Sequence, residues 1–147
     1  MSSTDGNNDR EGSSAALITL YLAAGMPLVA GKLDGVHVRR ALQVFILGIV
    51  DFVSQAEALS EDEFYLLIDH ALKACDLDDY PPEVLCRHVS RWIEQHPRLD
   101  KIMRMGAQSI RRYGAENDAK APFDMAQVVV FSVKHPEEIG GNGDPAG

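Results

Sequence analysis

The stretch "ALQVFILGIVDFV", residues 41–53, is apolar almost all the way round a helix, with Gln43 and Asp51 as its polar side chains. A surface helix keeps its apolar residues to one stripe, so a helix that is apolar on every side has to be surrounded by other elements. This segment, within a helix expected over residues 36–58, is therefore read as the centre of the fold. Asp51 is read as an acid at the edge of the buried stretch.

Working towards the N-terminus, "GKLDG" (residues 31–35) reads as a turn. Before it, residues 12–31 run for 20 positions without a charge. A first helix is expected from about Ala15 to Gly25–Pro27, where the proline interrupts backbone hydrogen bonding. Met1 to Glu11 places Asp5, Asp9 and Glu11 against Arg10, which is not the basic start of a signal peptide. Three glycines, two serines and Pro27 dilute the run as a membrane span. A buried helix is the expectation, and membrane association through residues 15–30 is the alternative.

Towards the C-terminus, "LSEDEF" (residues 59–64) has the pattern of a helix start. Ser60 can cap, Glu63 can reach back to it, and Leu59 and Phe64 have the spacing of a hydrophobic staple. Phe64, Leu67, Ile68, Ala71 and Cys75 then share one stripe. "DLDDYPP" ends that helix, and Pro82 suits the first turn of the next, expected over residues 82–96. A fifth helix is expected over residues 98–113, stopped by Gly114. In residues 122–134 the run "VVVFSV" has strand propensity, but no other stretch offers it a strand partner and Pro122 suits a helix start. It is read as a sixth helix. The expected fold is all-α, a compact bundle of about six helices in a single domain over residues 13–135, with polar, flexible tails at 1–12 and 136–147.

A chain of 147 residues can bury a core without staples. Two cysteines make no disulfide framework, which points to a reducing, cytoplasmic setting. Both fall in "CDLDDYPPEVLCRH", residues 75–88, close to His70, His88 and His96. Metal binding there fails on helical angles. His70 and Cys75 point about 140° apart, and Cys86 and His88 about 160° apart, at 100° per residue. An EF-hand loop begun at Asp76 would need glycine where Pro81 stands and glutamate where Arg87 stands. One of Asp78 and Asp79 is expected to help cap the incoming helix, with Glu83 at its positive end. Both cysteines are read as small apolar residues, and neither a cofactor nor a metal is expected. The chain has no phosphate-binding glycine loop, nucleophile elbow or zinc-protease pattern, so no catalytic residue is assigned.

The order of an apolar helix, the "LSEDEF" start, an acidic turn and a second helix resembles the layout of the TerB-like helical domains associated with tellurite resistance. The resemblance covers residues 41–96. The acidic "ADG" turn of those domains is replaced by "SQAEA" (residues 54–58), so metal binding does not carry over.

Charge is arranged more distinctively. From Asp51 to Glu83 ten acids face one base, Lys73. From Arg87 to Arg112 seven bases face two acids, Glu94 and Asp100, although the whole chain has a net charge of −8. On the fifth helix Leu99, Ile102, Met103, Gly106, Ile110 and Tyr113 share one arc, and Lys101, Arg104, Arg111 and Arg112 the opposite one. With Arg98, these cations form the expected partner-binding face. The expected function is a non-enzymatic protein–protein interaction module, an adaptor, regulator or assembly factor. Its partner would be an acidic protein surface or another copy of the chain. A nucleic-acid-associated regulator using the same face is the alternative, although the net charge opposes it.

Overall fold

The computed structural model describes residues 3–141, with side chains from Gly12 onward. The outer ends of both expected tails, residues 1–2 and 142–147, lie outside the described residues. The chain is all-helical: α1 (Ser3–Val29), α2 (Val36–Ala56), α3 (Glu61–Ala74), α4 (Pro82–Gln95), α5 (Arg98–Ala115) and α6 (Asp124–Lys134). Short 3-10 turns cover Ala121–Phe123 and Pro136–Glu138.

Helix α2 lies at the centre, as its composition requires. All residues from Arg40 to Val50 are buried, and α1, α3, α5 and α6 pack around it. Helix α4 closes the bundle against α3 and α5. The two central helices, α2 and α5, cross where Gly48 meets Met103 and Gly106 meets Phe45. A Cβ on Gly48 would lie 1.9 Å from the Met103 carbonyl oxygen, and one on Gly106 would lie 2.1 Å from that of Phe45. Only residues without a side chain allow two helix backbones to touch this closely. The crossing thus depends on glycine at both positions.

A buried polar relay joins three further elements. Tyr21 of α1 donates its hydroxyl proton to Ser109 Oγ of α5 at 2.6 Å, and Ser109 donates in turn to the Ala121 carbonyl at 2.9 Å. Each hydroxyl is satisfied without water, as burial demands. Burial also raises the Tyr21 phenol well above its ordinary pKa. Gly25 of α1 sits against Met125 and the Pro122 carbonyl, which seats α1 on the start of α6.

At the start of α3 the Ser60 hydroxyl accepts from the Glu63 amide, and the Glu63 carboxylate accepts from the Ser60 amide at 2.9 Å, so the expected capping box is complete. "VVVFSV" is helical. Met125, Val128, Val129 and Ser132 share a buried stripe, and packing against the core outweighs the β-branched preference.

Four expectations require correction. Helix α1 begins at Ser3, inside the segment read as a tail, and continues through Pro27 to Val29. Pro27 falls in the last turn, where it removes a single hydrogen bond before the chain turns at Gly31, whose φ is +80°. At the other end residues 136–141 dock on the domain. Ile139 is fully buried, His37 Nδ1 bonds the Gly140 carbonyl at 2.7 Å, and Arg98 pairs with Glu138 at 3.3 Å. The surrounding "PEE" and "GG" hide this single apolar anchor from a compositional reading. The last correction concerns α4, whose N-cap is Pro81 with no side-chain cap. Asp79 is engaged elsewhere, by Arg39 and Gln43 of α2.

Replacing Gly48 or Gly106 with alanine should destabilise the fold by about 2–4 kcal/mol, because the new methyl group meets backbone that cannot move aside cheaply. Gly12→Ala, which meets nothing within 4 Å, should be neutral or mildly stabilising. Urea denaturation followed by circular dichroism checks both.

Candidate docking surface

The five cations of α5 do not form one uniform face. At 100° per residue Lys101 and Arg98 turn towards α6, whereas Arg104 and Arg111 turn away from it. Arg104 pairs with Asp100 one turn earlier at 2.8 Å, and Arg111 pairs with Glu116 at 2.7 Å. Both pairs are exposed, which limits their contribution to stability. Arg112 has a different role. It is half-buried, pairs with Asp124 at the start of α6, and lies 3.9 Å from Asp118. It ties the end of α5 to the beginning of α6, and the Arg112 carbonyl accepts from the Asp118 amide at 3.0 Å. Arg98 divides its guanidinium between Glu138 and the ring of Phe131, 5.9 Å from the centroid. Lys101 alone of the five makes no ion pair among the described residues.

Beside Lys101 a groove of about 310 Å³ opens between α5 and α6. Ile102, Met105, Val128 and Phe131 form its apolar floor, and Arg98, Lys101 and Gln127 its rim. The packing of the two helices explains it. Ile102 and Val128 turn into the core, while Met105 and Phe131 stay half-buried at the groove. An apolar trough with a free ammonium group on its edge suits an amphipathic segment that carries acids beside its apolar anchors.

The opposite charge gathers on α3 and the start of α4. Asp62, Tyr65, Leu66 and Asp69 line a shallow groove with Pro82 and Glu83. Asp69 pairs with Lys73 at 2.9 Å. Leu66 projects with 61% of its surface exposed, one turn from Asp62.

The residues of the cysteine-rich stretch have separate surroundings. Cys75 is buried at the end of α3, and burial pushes its thiol up to about 12. Burial, with Asp51 and Glu83 nearby, also raises Cys86. His70 is exposed and bonds Thr19 at 2.8 Å, whereas His88 stacks on Trp92 with ring centroids 5.7 Å apart. The four residues thus serve separate neighbourhoods. The acidic turn between the cysteines is held by Asp79. It accepts from Arg39 Nε and Nη2 at 3.0 and 2.6 Å and from Gln43 at 2.8 Å. The Asp79 pair in turn raises the Arg39 guanidinium further. Arg40, buried on the same helix, lies 4.1 Å above the Trp92 ring. Sequence reasoning missed this lock. Its signal was present in "RRALQ", where Arg39 and Gln43 stand one turn apart on an otherwise apolar helix. Asp51 stands at the margin of the core, as expected, accepting from Gln55 at 2.9 Å.

On the C-terminal segment, His135, Glu137 and Glu138 bring one ligand atom each within 4.8 Å of one another. Glu138 is already engaged by Arg98, which sets a cation beside them.

No protein-family model, curated protein or solved structure matches this chain. The TerB-like layout of residues 41–96 therefore rests on the sequence pattern alone.

Two measurements test these assignments. Arg112→Ala should cost about 2 kcal/mol by leaving the half-buried Asp124 without its cation, whereas Arg104→Ala should cost less than about 0.5 kcal/mol. Thermal or urea denaturation of the two variants separates them. Desolvation, then Arg91, Arg87 and Arg40, lowers the His88 pKa below its ordinary 6.5. An unfolded chain therefore binds this proton more readily than the native one, so the neutral imidazole's stabilising effect is present above about pH 6.5 and fades as pH falls. Fluorescence of Trp92, the chain's one tryptophan, should titrate with a midpoint below 6.5, and His88→Gln should remove that transition.

Proposed function

We propose that this protein is a non-enzymatic interaction module that receives an acidic, amphipathic helical segment of a protein partner in the groove between α5 and α6. The observation that carries the proposal is the pairing of an apolar floor (Ile102, Met105, Val128, Phe131) with Lys101, which makes no ion pair among the described residues. Apolar anchors would supply the affinity, while Lys101 and the outer edge of Arg98 would select acids and set orientation. Arg104 and Arg111 would add steering from further round α5. Arg112 is excluded from the contact, because its guanidinium is committed to Asp124.

Such a module would act as an adaptor, regulator or assembly factor in the cytoplasm, a setting consistent with its two free thiols. Nucleic acid is less well served. A phosphate backbone needs a row of available cations, and four of the five on α5 already face carboxylates. Membrane association is also less well served. Gly12–Val29 is apolar and long enough to cross a membrane, but its Ile18, Tyr21, Leu22 and Val29 complete the core.

A labelled synthetic helical peptide with leucines at one-turn spacing and flanking glutamates is the probe. Fluorescence anisotropy should show saturable binding that Lys101→Glu weakens by about tenfold, equivalent to about 1.4 kcal/mol. Loss of binding in Phe131→Ser, with the helical signal retained, locates the probe in the groove. Binding unaffected by both changes would remove the groove from the function. Salt-sensitive capture of random duplex DNA, or sedimentation with vesicles, would replace the proposal with the corresponding alternative.

A further inference from the structure

We propose that the segment received by the α5–α6 groove is the α3–α4 face of a second copy of this chain, so that the protein associates with itself head to tail. This rests on the docking function above and names its partner.

The chain carries both halves of such a contact. One is the groove with its apolar floor and the unpaired Lys101. The other is the outer ridge of α3, where Asp62, Leu66 and Asp69 fall within about 60° of one another at 100° per residue. Leu66 is among the most exposed large apolar residues of the fold. It stands on a helix, the form that a groove between two helices accepts. Asp69 is compensated by Lys73, but Asp62 and Glu83 make no ion pair among the described residues. Free acids therefore flank the projecting leucine, just as a free lysine flanks the apolar trough. With Leu66 against Met105 and Phe131, the acids of one copy face Lys101 and Arg98 of the next.

Charge complementarity selects this occupant over other apolar segments of the chain. Of the other exposed large apolar side chains, Leu20, Val130 and Val133 lie on helical stretches without acids. Phe123 stands beside Asp124, which Arg112 already engages, and Val36 lies against Gly141 at the start of α2. The two halves also lie on different helices and do not overlap. The contact is therefore heterologous: in a pair one copy keeps a free groove and the other a free ridge, so further copies can add at either end.

Sedimentation velocity on the full chain, over about 5–500 μM, a span matched to a contact of modest affinity, reads the association. The average mass should rise above the 16.1 kDa monomer as concentration increases. Lys101→Glu disables the groove and Leu66→Lys disables the ridge, so each variant alone should remain monomeric with an unchanged helical signal. An equimolar mixture should form dimers and nothing larger, because the Lys101→Glu chain still offers its ridge and the Leu66→Lys chain its groove. A wild-type chain that stays monomeric throughout overturns the proposal, as does association that neither change affects or a mixture that stays monomeric. If the wild type is monomeric yet binds the synthetic acidic peptide through Lys101, self-docking falls and the docking function stands. If the peptide also fails to bind, both fall.

Discussion

The architecture depends on the contact between two helix backbones at Gly48 and Gly106. Each glycine faces a carbonyl of the other helix, and neither position has room for a methyl group. Because α5 lies so close to α2, its remaining core residues, Leu99, Ile102 and Ile110, reach the apolar centre without leaving gaps. On the side of α5 that faces α6, Met105 and Phe131 are left half-covered and line the groove beside Lys101.

Electrostatics is organised around individual pairs more than around faces. The sequence separates into an acidic stretch and a basic stretch, and folding brings members of the two signs together. Arg39 crosses to Asp79, Arg112 to Asp124 and Arg98 to Glu138. These pairs engage part of the basic stretch in holding the turn before α6 and the C-terminal segment, and Asp79 of the acidic stretch in holding the turn before α4. Among the charges that make no ion pair with described residues, three stand beside apolar surface. Lys101 stands at an apolar groove, and Asp62 and Glu83 stand beside a projecting leucine.

Most of the fold was legible in the sequence because its signals are local. The all-round apolarity of residues 41–53, the Ser60–Glu63 box and Pro82 depend on neighbours within a few positions. Gly114, read as the stop of α5, instead lies within the helix, which continues to Ala115 before the chain turns at Asn117, whose φ is +53°. What escaped notice depends on distant partners. Gly48 and Gly106 look like weak points of their helices until the crossing is known. Ile139 is a lone apolar residue among turn formers, and its burial depends on a pocket that other elements build. Asp79 looks like a helix cap because nothing nearby in the chain reveals Arg39. The site was legible to a similar depth. The helical wheel marked Lys101 and the run of bases marked Arg98, and both line the candidate groove. The wheel could not tell them from Arg112, whose partner Asp124 belongs to another helix.

The placement of α3 and α4 between the two glycine-bearing helices has a kinetic consequence. Gly48 and Gly106 are 58 positions apart, so the tightest contact in the molecule closes one of its longer loops. The entropy of bringing such ends together has to be met before the contact gives anything in return. Helices α3 and α4 shorten that search. Each has a local start signal, and together they convert most of the intervening chain into two rigid rods joined by a turn that Arg39 ties back to α2. The two rods thereby lower the entropic cost of closing the loop that brings the helix bearing the candidate groove onto the central one.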